Sequence, residues 1–469
     1  MCGILCEILF HPSSSITKDE EIIRRLKNRG PNCFQLWSLQ VSEDITLFFC
    51  GAVLWTQGPN LTKQPLQDDK GRKYPCLEIP SLNIHKLNIE SKKILTFNWH
   101  NEDSRIYSLD SWYSTIQIHQ NLPDEQFRFE EDILEDLNDE NGVIDYINQI
   151  SKNYTCKQTI LKEILKQDNL STMVQSILLL LEKSVKIRLE THPNKCIKCL
   201  NTVNECCHST VGILFSGGLD CTILAYLADK FVPENQPIDL INVAFKTENG
   251  TYDVPDRVTG RQSYNELKQK CCSRRWVFHE VNVEKKDLEI SQSQTIADLV
   301  YPRRTILDES LGTALWYAAW GMGHTVSPCR VLLLGSGADE LFGGYTRHRN
   351  AYKRQGWSGL RKEMMLDWSR ISYRNLARDN RVICDHGRIP RLPYLDEEFS
   401  SFILKLKPWF KCFPSEQLGM GVGDKLMLRL LAMHLGLTDV AILPKRALQF
   451  GTRIANKKQN GNDLSKHLQ

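Results

Sequence analysis

The second half of the chain alternates between short apolar runs and segments in which apolar residues recur every three or four positions. The strand-like runs lie at residues 211–215, 239–245, 276–283 and 331–334. The segments with helical spacing lie between them, at residues 221–231, 263–273 and 310–320. This alternation predicts βαβ units and therefore an α/β domain with a doubly wound parallel sheet. Beyond about Gly356 the pattern predicts a mainly helical C-terminal part.

The N-terminal part of the chain has a different pattern. Short apolar runs at 4–10 and 46–54 are interrupted by turn residues, and a helical pattern over residues 18–28 stops at Gly30-Pro31. These features predict an α+β domain. Residues 124–145 are strongly acidic, which favours a solvated connector or an exposed helix. The amphipathic pattern over 171–189 predicts the helix that opens the second domain.

These patterns divide the chain into four parts. We expect an N-terminal domain, an acidic connector, a second domain and a disordered polar tail, with bounds at 2–123, 124–170, 171–455 and 456–469 respectively.

The pentapeptide Ser216-Gly217-Gly218-Leu219-Asp220 joins the first predicted strand to the first predicted helix of the second domain. A Gly-rich turn at a helix N-terminus presents backbone N–H groups to phosphate oxygens, and glycines permit close approach. Ser216 adds a hydroxyl donor, and Asp220 adds a carboxylate for a phosphate-bound Mg²⁺. The motif is not a Walker loop, since G-x-x-x-x-G-K-[ST] is absent from the chain. The alternative is a Gly-rich turn without a ligand.

A second Gly-rich and acidic segment, Gly335 to Glu340, follows the apolar run at 331–334. In a parallel sheet, the ends of these two strands open on the same edge, so both segments should face one pocket. Asp339 could share a Mg²⁺ ion with Asp220, because this ion prefers several oxygen ligands. The alternative is that Asp339 only caps a helix.

Composition narrows the range of partners. The chain has 469 residues, with 59 Lys and Arg against 56 Asp and Glu, a net charge of +3. Without a concentrated basic stripe, small-molecule ligands are expected rather than nucleic acid. Apolar stretches fall far short of the roughly 18 residues of a membrane span, and no signal-peptide pattern opens the chain. We therefore expect a soluble, cytoplasmic protein with no membrane partner; its oligomeric state is left open.

The 16 cysteines are scattered along a long chain and are expected to be reduced. One group stands out, because Cys196 and Cys199 are followed closely by Cys206, Cys207 and His208. These side chains offer enough soft ligands for a tetrahedral zinc ion. The alternative is a polar loop with reduced cysteines.

A series of linked motifs resembles the synthetase domain of asparagine synthetases, in the same order, over residues 171 to about 455. The motifs are the 216–220 loop, Gly337 to Glu340 with Gly343-Gly344-Tyr345, Arg391 to Asp396, Lys425 with Leu428-Arg429, and Pro444 to Ala447. The segments Val254 to Arg257 and Asp379 to Val382 add to the resemblance.

The resemblance implies an ATP pyrophosphatase fold, with ATP and Mg²⁺ as cofactors. An aspartate carboxylate would attack the α-phosphate to give β-aspartyl-AMP, and ammonia would displace AMP to give asparagine. Adenine would lie near the strand ends at Leu214, Phe215, Val243, Leu334 and Gly335, with the pyrophosphate on Ser216, Gly217, Gly218 and Asp220.

Cationic side chains are expected beside the phosphates. Lys445 matches the lysine of the family that holds phosphate charge as it develops, so Lys445 and Asp339 are the predicted catalytic residues of this domain. Lys425 and Arg429 lie four residues apart on a predicted helix and could support the same pocket. The alternative for this pair is a solvated helix face.

Two positions depart from the family pattern. Ser336 stands where asparagine synthetases usually carry a glutamate that would lie close to the acyl-adenylate. Cys221 stands where a second serine is usual, which could weaken one phosphate contact.

The N-terminus resembles class II glutamine amidotransferases. After removal of Met1, Cys2 would expose an amine that can act as its own base, and Arg29-Gly30-Pro31 matches the Arg-Gly-Pro-Asp loop of that class. However, Asn32 replaces the aspartate, Gln57-Gly58 stands where a glutamine-binding arginine is expected, and Cys76 to Ile79 is the nearest remnant of an Asn-Gly-Glu segment. We therefore expect a shortened or eroded amidotransferase domain of the N-terminal nucleophile type.

Two functions from different classes follow. The first is an ATP-dependent ligase that forms an amide from aspartate, with ammonia or glutamine as the nitrogen source. The second is a pseudoenzyme that keeps the fold, and ATP binding with it, but serves as a binding or scaffold protein. A third type of pyrophosphate-loop enzyme, such as a tRNA thiolase or NAD synthetase, is disfavoured by the Asp339 and Lys445 segments.

Overall fold

A computed structural model describes the larger part of the chain. The described residues are 3–10, 20–42, 45–54, 66–67, 73–74, 83–88, 93–98, 104–108, 139, 142–193, 195–200, 206–323, 325–455 and 460–468. Contacts divide the chain into two compact units, residues 1–55 with 60–135 and residues 56–59 with 136–469. Several predicted features lie outside the described residues: Cys2, Gln57-Gly58, Cys76 to Ile79, and most of the acidic stretch before residue 139.

The first unit combines antiparallel strands with a helix. Its larger sheet has the order β1-β3-β2, and helix α1 packs against it; the bounds are β1 Gly3–Phe10, α1 Glu20–Arg29, β2 Cys33–Ser42 and β3 Ile45–Val53. Two smaller antiparallel sheets follow, formed by β4 Leu66–Gln67, β5 Lys73–Tyr74, β6 Asn83–Asn88, β7 Lys93–Asn98 and β8 Ser104–Ser108. The described part of this unit thus has the predicted α+β composition.

The Arg29-Gly30-Pro31 segment lies directly on β3. A Cβ atom on Gly30 would lie 2.1 Å from the carbonyl carbon of Ala52, so only glycine fits this close approach. The Asn32 N–H donates to the Val53 carbonyl at 3.0 Å. The segment is therefore held by the sheet.

The second unit opens earlier than the sequence suggests. Three helices precede the sheet, namely α2 Val143–Asn153, α3 Lys157–Ile164 and α4 Asp168–Glu190. Apolar side chains of α2 and α3, among them Ile147 and Leu161, are fully buried in the same core as α4. The connector predicted over 124–170 is therefore wrong for residues 143–164. One of its acidic residues caps a helix: the Asp139 carboxylate accepts hydrogen bonds from the N–H groups of the first two residues of α2.

The predicted parallel sheet is present, with the strand order β11-β10-β9-β12-β13 and every neighbouring pair parallel. Its strands are β9 Val211–Leu214, β10 Ile238–Phe245, β11 Trp276–Val283, β12 Val331–Leu333 and β13 Ile389–Arg391. Alternate residues enter two separate cores, as Leu240 and Ile241 show. Apolar cores on both faces explain why the central strands β9 and β12 contain no polar side chain, whereas β11 at the edge of the sheet carries His279, Glu280 and Asn282.

Helices cover the sheet and form the C-terminal part. Those that connect the strands are α5 Leu219–Asp229, α6 Pro255–Lys270, α7 Lys285–Ser291, α8 Ala297–Val300, α9 Ile306–Trp320, α10 Ala338–Phe342, α11 Thr346–Ile371 and α12 Ala377–Cys384. Those that follow β13 are α13 Glu397–Lys405, α14 Pro408–Lys411, α15 Leu426–His434 and α16 Leu448–Gly451. Among the described residues, no helix combines the length and the apolar character that crossing a membrane requires.

The C-terminal segment is not the disordered tail that its polarity suggests. Residues 460–468 run along the start of α9, where the Ile306 N–H donates to the Asp463 carbonyl at 2.9 Å. Ser465 donates to the Glu309 carboxylate at 2.8 Å, and Leu468 is buried in the core between the sheet and α9. Hydrogen bonds to specific side chains therefore replace the missing apolar pattern.

Candidate functional site

The carboxyl ends of β9 and β12 bring the two Gly-rich segments together. These strands are neighbours at the point where the strand order reverses, so the loops after them run to opposite faces of the sheet and leave a crevice between them. A Cβ atom on Gly335 would lie 2.9 Å from the Cβ atom of Asp220. The segments after the two strands are therefore in contact, as predicted.

Helix α6 holds the 216–220 loop from behind. Gly217 has a φ of +76°, and a Cβ atom there would lie 2.4 Å from the Thr259 carbonyl oxygen. Ser263 donates to the Gly217 carbonyl at 2.6 Å, and Thr259 donates to the Ser216 carbonyl at 3.2 Å. Gly217 therefore serves the packing of the loop against α6 and does not line the cavity.

A buried arginine and asparagine connect the loop to the sheet. Asn242 donates to the carbonyls of Phe215 and Asp256, at 2.8 and 2.9 Å. Arg257, whose side chain is fully buried, donates to the Asn242 side chain at 2.7 Å and to Glu280 at 2.8 Å. The Val254 to Arg257 motif is thus a positioning element for the loop.

The loop ends at the N-terminus of α5. Gly218 is the N-cap, and the Thr222 N–H donates to its carbonyl at 3.1 Å. The first N–H groups of a helix have no acceptor within the helix and, together with the helix dipole, favour an anion. Cys221 turns its thiol toward the Gly218 carbonyl at 3.3 Å. This end of α5 has the features of a phosphate site.

A lysine lies between the two predicted metal ligands. The Lys425 ammonium is 2.5 Å from Asp220 Oδ2 and 2.7 Å from Asp339 Oδ1, and Lys425 is almost fully buried. Burial alone would lower the pKa of Lys425, but the two carboxylates raise it above its usual range. The lysine is therefore charged, and it joins the two loops.

Lys445, the predicted catalytic lysine, shares one of these carboxylates. Lys445 lies 2.5 Å from Asp339 Oδ2. Burial would raise the pKa of Asp339, yet Lys425 and Lys445 together hold it well below its usual range. Gly344 permits this cluster, because a Cβ atom there would lie 1.9 Å from Asp339 Oδ1 and 2.5 Å from Lys425 Cε. Asp339 is thus ionised between two ammonium groups.

Lys425 and Arg429 do not form a solvated helix face, since both are buried. Lys425 precedes α15 in the left-handed region, with a φ of 52°. Arg429 donates to the backbone and side chain of Asp424 at 2.6 Å and to the carbonyls of Ala441 and Leu443 at 2.8 Å. Arg429 therefore ties α15 to the loop that leads to the second lysine.

These groups surround one cavity of about 780 Å³. Of the residues predicted to bind the nucleotide or to act in this domain, those that line it are Leu214, Phe215, Ser216, Gly218, Asp220, Val243, Leu334, Gly335, Asp339 and Lys445. Lys425 and Arg429 also line it, whereas Gly217 does not. The structure thus brings the predicted residues of the second domain together, while their roles toward a ligand stay predictions.

Several lining residues were not predicted as site residues. Asp256 is buried in the cavity wall; burial raises its pKa to about 7, although the charges of Arg446 and Lys445 act in the opposite direction. Arg378 also lines the cavity and donates to Asp308 and Asp379 at 2.8 and 2.7 Å. Asp256 belongs to the Val254 to Arg257 motif, and Arg378 directly precedes the Asp379 to Val382 motif. Nothing in the spacing of these motifs indicates that they reach the strand ends.

Ser336 lines the cavity at the position where a carboxylate is absent, and Glu340 lies near it. The Glu340 carboxylate accepts hydrogen bonds from Tyr345 at 2.7 Å and from Asn375 at 3.3 Å. Burial raises the pKa of Glu340, and the charge of Asp339 raises it further. The Glu340 carboxyl group thus lines the cavity next to Asp339 in the sequence, although Ser336 supplies no carboxyl group.

The carboxylates have the donor atoms that a magnesium ion requires. Within the described part of the chain, Asp220 Oδ1 is buried without a hydrogen-bond partner, whereas Asp339 Oδ1 already meets the Lys425 ammonium at 2.7 Å. Buried oxygens of this kind are unfavourable unless they meet a cation or a donor. Hard carboxylate oxygens are the ligands that Mg²⁺ prefers, so these residues fit the ion.

Comparisons with known proteins show which family this part of the chain resembles. Residues 201–357 match the asparagine synthase family model. The asparagine synthetase domain-containing protein CG17486 of Drosophila melanogaster is 47% identical over 326 residues, which cover 66% of this chain and 56% of that protein. Asparagine synthetase domain-containing protein 1 of Homo sapiens is 38% identical over 349 residues, which cover 64% of this chain and 54% of that protein.

A glutamine-hydrolysing asparagine synthetase of Rattus norvegicus is more distant, at 29% identity over 203 residues that cover 42% of this chain and 32% of that one. Among solved structures, the U34-tRNA thiolase NcsA from Methanococcus maripaludis aligns at 14% identity over 56% of this chain and 80% of that chain, with a TM-score of 0.24. The chain spans about half the length of the curated relatives named first. The resemblance to asparagine synthetases is thus confirmed at the level of the domain.

Proposed function

Since residues 201–357 carry an asparagine synthase domain, we propose that this chain is an ATP-dependent ligase that forms an amide. The acid would be aspartate and the product asparagine, with AMP and pyrophosphate released. The nitrogen source would be ammonia, either free or obtained from glutamine.

The observation that carries this proposal is the charged cluster at the strand ends. Lys425 joins Asp220 to Asp339, and Lys445 approaches Asp339 from the other side, all within one cavity. Burying four charges is costly, and a purely structural cavity could be filled with apolar groups at lower cost. The cluster adjoins a helix N-terminus suited to phosphate. A site for polyphosphate with a cation is the simplest purpose of such an arrangement.

In the proposed reaction, a carboxylate oxygen of aspartate attacks the α-phosphorus of ATP, and pyrophosphate leaves. Ammonia then attacks the acyl carbon, AMP leaves, and one proton is released. The N–H groups of the 216–220 loop would bind the pyrophosphate, while Lys445 would stabilise the charge that develops on the phosphates. Asp339 would hold Lys445 in place through the 2.5 Å ion pair.

Asp220 would hold Mg²⁺ through its free buried Oδ1, and Asp339 would add a carboxylate oxygen that it now shares with a lysine. When bound, the ion supplies charge neutralisation for the phosphates. Lys425 would keep the two carboxylates at a fixed separation, since it contacts both.

Ammonia is the nitrogen donor that this chain should use best. The described Gly30-Pro31-Asn32 segment lies against β3 but carries Asn32 where an aspartate is expected to bind glutamine. Cys2 would be the nucleophile of any remaining glutaminase activity. If glutamine supported asparagine formation as well as ammonium, and Cys2→Ala removed only the glutamine-driven rate, the eroded-domain interpretation would be wrong.

Release of AMP and pyrophosphate by the purified chain, given MgATP, aspartate and ammonium, tests the proposal directly. Lys445→Met and Asp339→Asn should each lower the rate by about 10²-fold or more. The first removes a positive charge at the phosphates, and the second removes the carboxylate that would hold Lys445 and Mg²⁺ in place. Lys183→Met is the matched control, because Lys183 forms an exposed ion pair with Glu398 on α13. If folded protein binds ATP but releases no AMP with any acid, the ligase proposal fails.

Ser336 favours the second candidate, a protein that binds ATP without acyl transfer. It lies in the cavity wall without the carboxylate usual at this position. Ser336→Glu separates the two candidates. A rise in asparagine formation of up to about 10²- to 10⁴-fold would identify an attenuated ligase. ATP binding without AMP release in both the parent and Ser336→Glu proteins would identify a binding protein.

A further inference from the structure

At the opposite end of the sheet, four potential metal ligands converge between α4 and β9. Cys196 and Cys199 flank a short 3₁₀ turn after α4, and Cys206 and His208 immediately precede β9. Each offers one ligand atom, and these four atoms all lie within 4.8 Å of one another. We propose that Cys196, Cys199, Cys206 and His208 bind a structural zinc ion.

The distances agree with a tetrahedral site. Metal–ligand bonds of about 2.3 Å to sulfur and 2.0–2.1 Å to nitrogen place neighbouring S and N ligands about 3.6 Å apart. His208 Nδ1 lies 3.3 Å from Cys199 Sγ and 3.9 Å from Cys206 Sγ, on either side of that value. The described cysteines, including these three, carry free thiols, so no disulfide accounts for the cluster.

The surroundings hold these ligands in the way that zinc sites require. The Cys196 N–H donates to Cys206 Sγ at 3.4 Å, a contact that stabilises a thiolate. The neighbouring Ile197 N–H donates to the Pro328 carbonyl at 3.0 Å, which fixes the turn against the segment before β12. The turn that carries Cys196 and Cys199 is thus anchored before any metal binds, which lowers the cost of binding it.

Charge also suits the proposal. Zinc with three thiolates and a neutral imidazole carries a net charge of −1, which needs a cation nearby when it is partly buried. The Arg330 guanidinium is buried and interacts electrostatically with Cys196.

The site has a structural purpose. Four protein ligands leave no open position for a substrate, which is typical of structural rather than catalytic zinc. Arg330 directly precedes β12, and the cluster lies at the amino ends of β9 and β12, whereas the nucleotide loops follow their carboxyl ends. Zinc would therefore fasten α4 to the two central strands without entering the reaction.

Metal analysis of the full chain, purified without chelators, provides the test. We expect about one zinc ion per chain, falling below about one tenth in Cys199→Ser and in His208→Ala. Cys207→Ser is the matched control, because Cys207 is exposed and lies between two of the ligands without belonging to the cluster. It should keep its zinc.

A second measurement covers variants that fail to fold. Protein produced with Co²⁺ instead of zinc should show the intense thiolate-to-cobalt absorption and the visible bands of tetrahedral cobalt. A chelator should abolish these bands and lower the Tm. Parent protein without zinc or cobalt, or with a disulfide among the three cysteines, would overturn the proposal, as would loss of zinc in Cys207→Ser.

Discussion

Individual charged side chains define the cavity at the carboxyl ends of β9 and β12. Lys425, Asp220, Asp339 and Lys445 neutralise one another, so the cavity is compatible with a folded protein before a ligand arrives. Asp256 differs from them, because its nearest cations do not overcome the effect of its burial. A single titrating group in the cavity wall should therefore leave a signature in the stability of the protein.

We expect Asp256→Asn to change how stability depends on pH. The pKa of Asp256 is raised from an ordinary 3.8 to about 7 in the fold, so between these values the folded protein binds one proton more than the unfolded chain. Its contribution to stability is present below pH ~4 and is lost as the pH rises to ~7. Asparagine does not ionise, so Asp256→Asn does not lose stability in this way. As the pH rises, its free energy of unfolding relative to that of the parent should increase by up to ~1.4 kcal/mol per pH unit.

Urea unfolding from pH 4.5 to 8 measures this difference. Asp253→Asn is the control, since Asp253 lies on the same segment but is exposed, and its effect should stay small throughout. Parallel stability curves for the parent and Asp256→Asn would show that Asp256 is ionised in the fold at all these pH values.

At the scale of elements, the conformation of the 216–220 loop depends on helix α6 as much as on the sequence of the loop. Thr259 and Ser263 of this helix donate to the loop carbonyls, and Arg257 at its start holds Asn242 against them. The loop is therefore fixed from behind. Preorganisation of this kind lowers the cost of binding a phosphate.

Gly217→Ala should disturb this contact far more than Gly250→Ala. Both glycines have a positive φ, +76° and +78°, so each alanine costs about 1–2 kcal/mol in backbone strain. Only at Gly217 would the new methyl group meet the α6 backbone, whereas Gly250 has open space. We expect Gly217→Ala to lower the free energy of unfolding by a further ~1–3 kcal/mol, as measured by urea unfolding. Calorimetry should also show weakened ATP binding there. Equal effects of the two variants would mean that α6 does not position the loop.

The strands and the two loops could be predicted because their signals are local. Continuous apolar runs mark strands buried on both faces, and the glycines of the 216–220 segment follow one directly. Contacts such as that of Asp256 with the cavity could not be predicted, because they depend on how α6 packs. The two helices before residue 168 were missed for a related reason: polar residues surround their narrow apolar stripes, and only tertiary packing shows that the stripes are buried.

At the scale of the whole second unit, segments far apart in sequence close the same core. The three helices before the sheet share one core with α15, and the C-terminal segment returns to α9. A unit of this size buries a large apolar surface, so its stability depends on such closing contacts as well as on the sheet.

Leu468→Ala and Leu464→Ala test the closing contact at the C-terminus. Leu468 is 7% exposed and packs in the core, whereas Leu464, on the same segment, is 72% exposed. Truncating the buried leucine should cost ~2–3 kcal/mol, while the exposed one should change stability by no more than ~0.5 kcal/mol. Denaturant unfolding of both variants measures this. Similar values for the two would show that the segment detaches in solution.

Gly344 carries a consequence for genetics. Its backbone lies outside the left-handed region, so glycine is required there only because Asp339 and Lys425 occupy the space of a side chain. Gly344→Ala should therefore damage the protein, and Asp339→Ala should relieve part of that damage, with a coupling of ~0.5–3 kcal/mol in a double-mutant cycle. If the effects of Gly344→Ala and Asp339→Ala on stability are additive, the Asp339 side chain is not the reason why glycine is required at position 344. Otherwise, tolerance of alanine at position 344 becomes an epistatic marker that the ion-pair cluster has been lost.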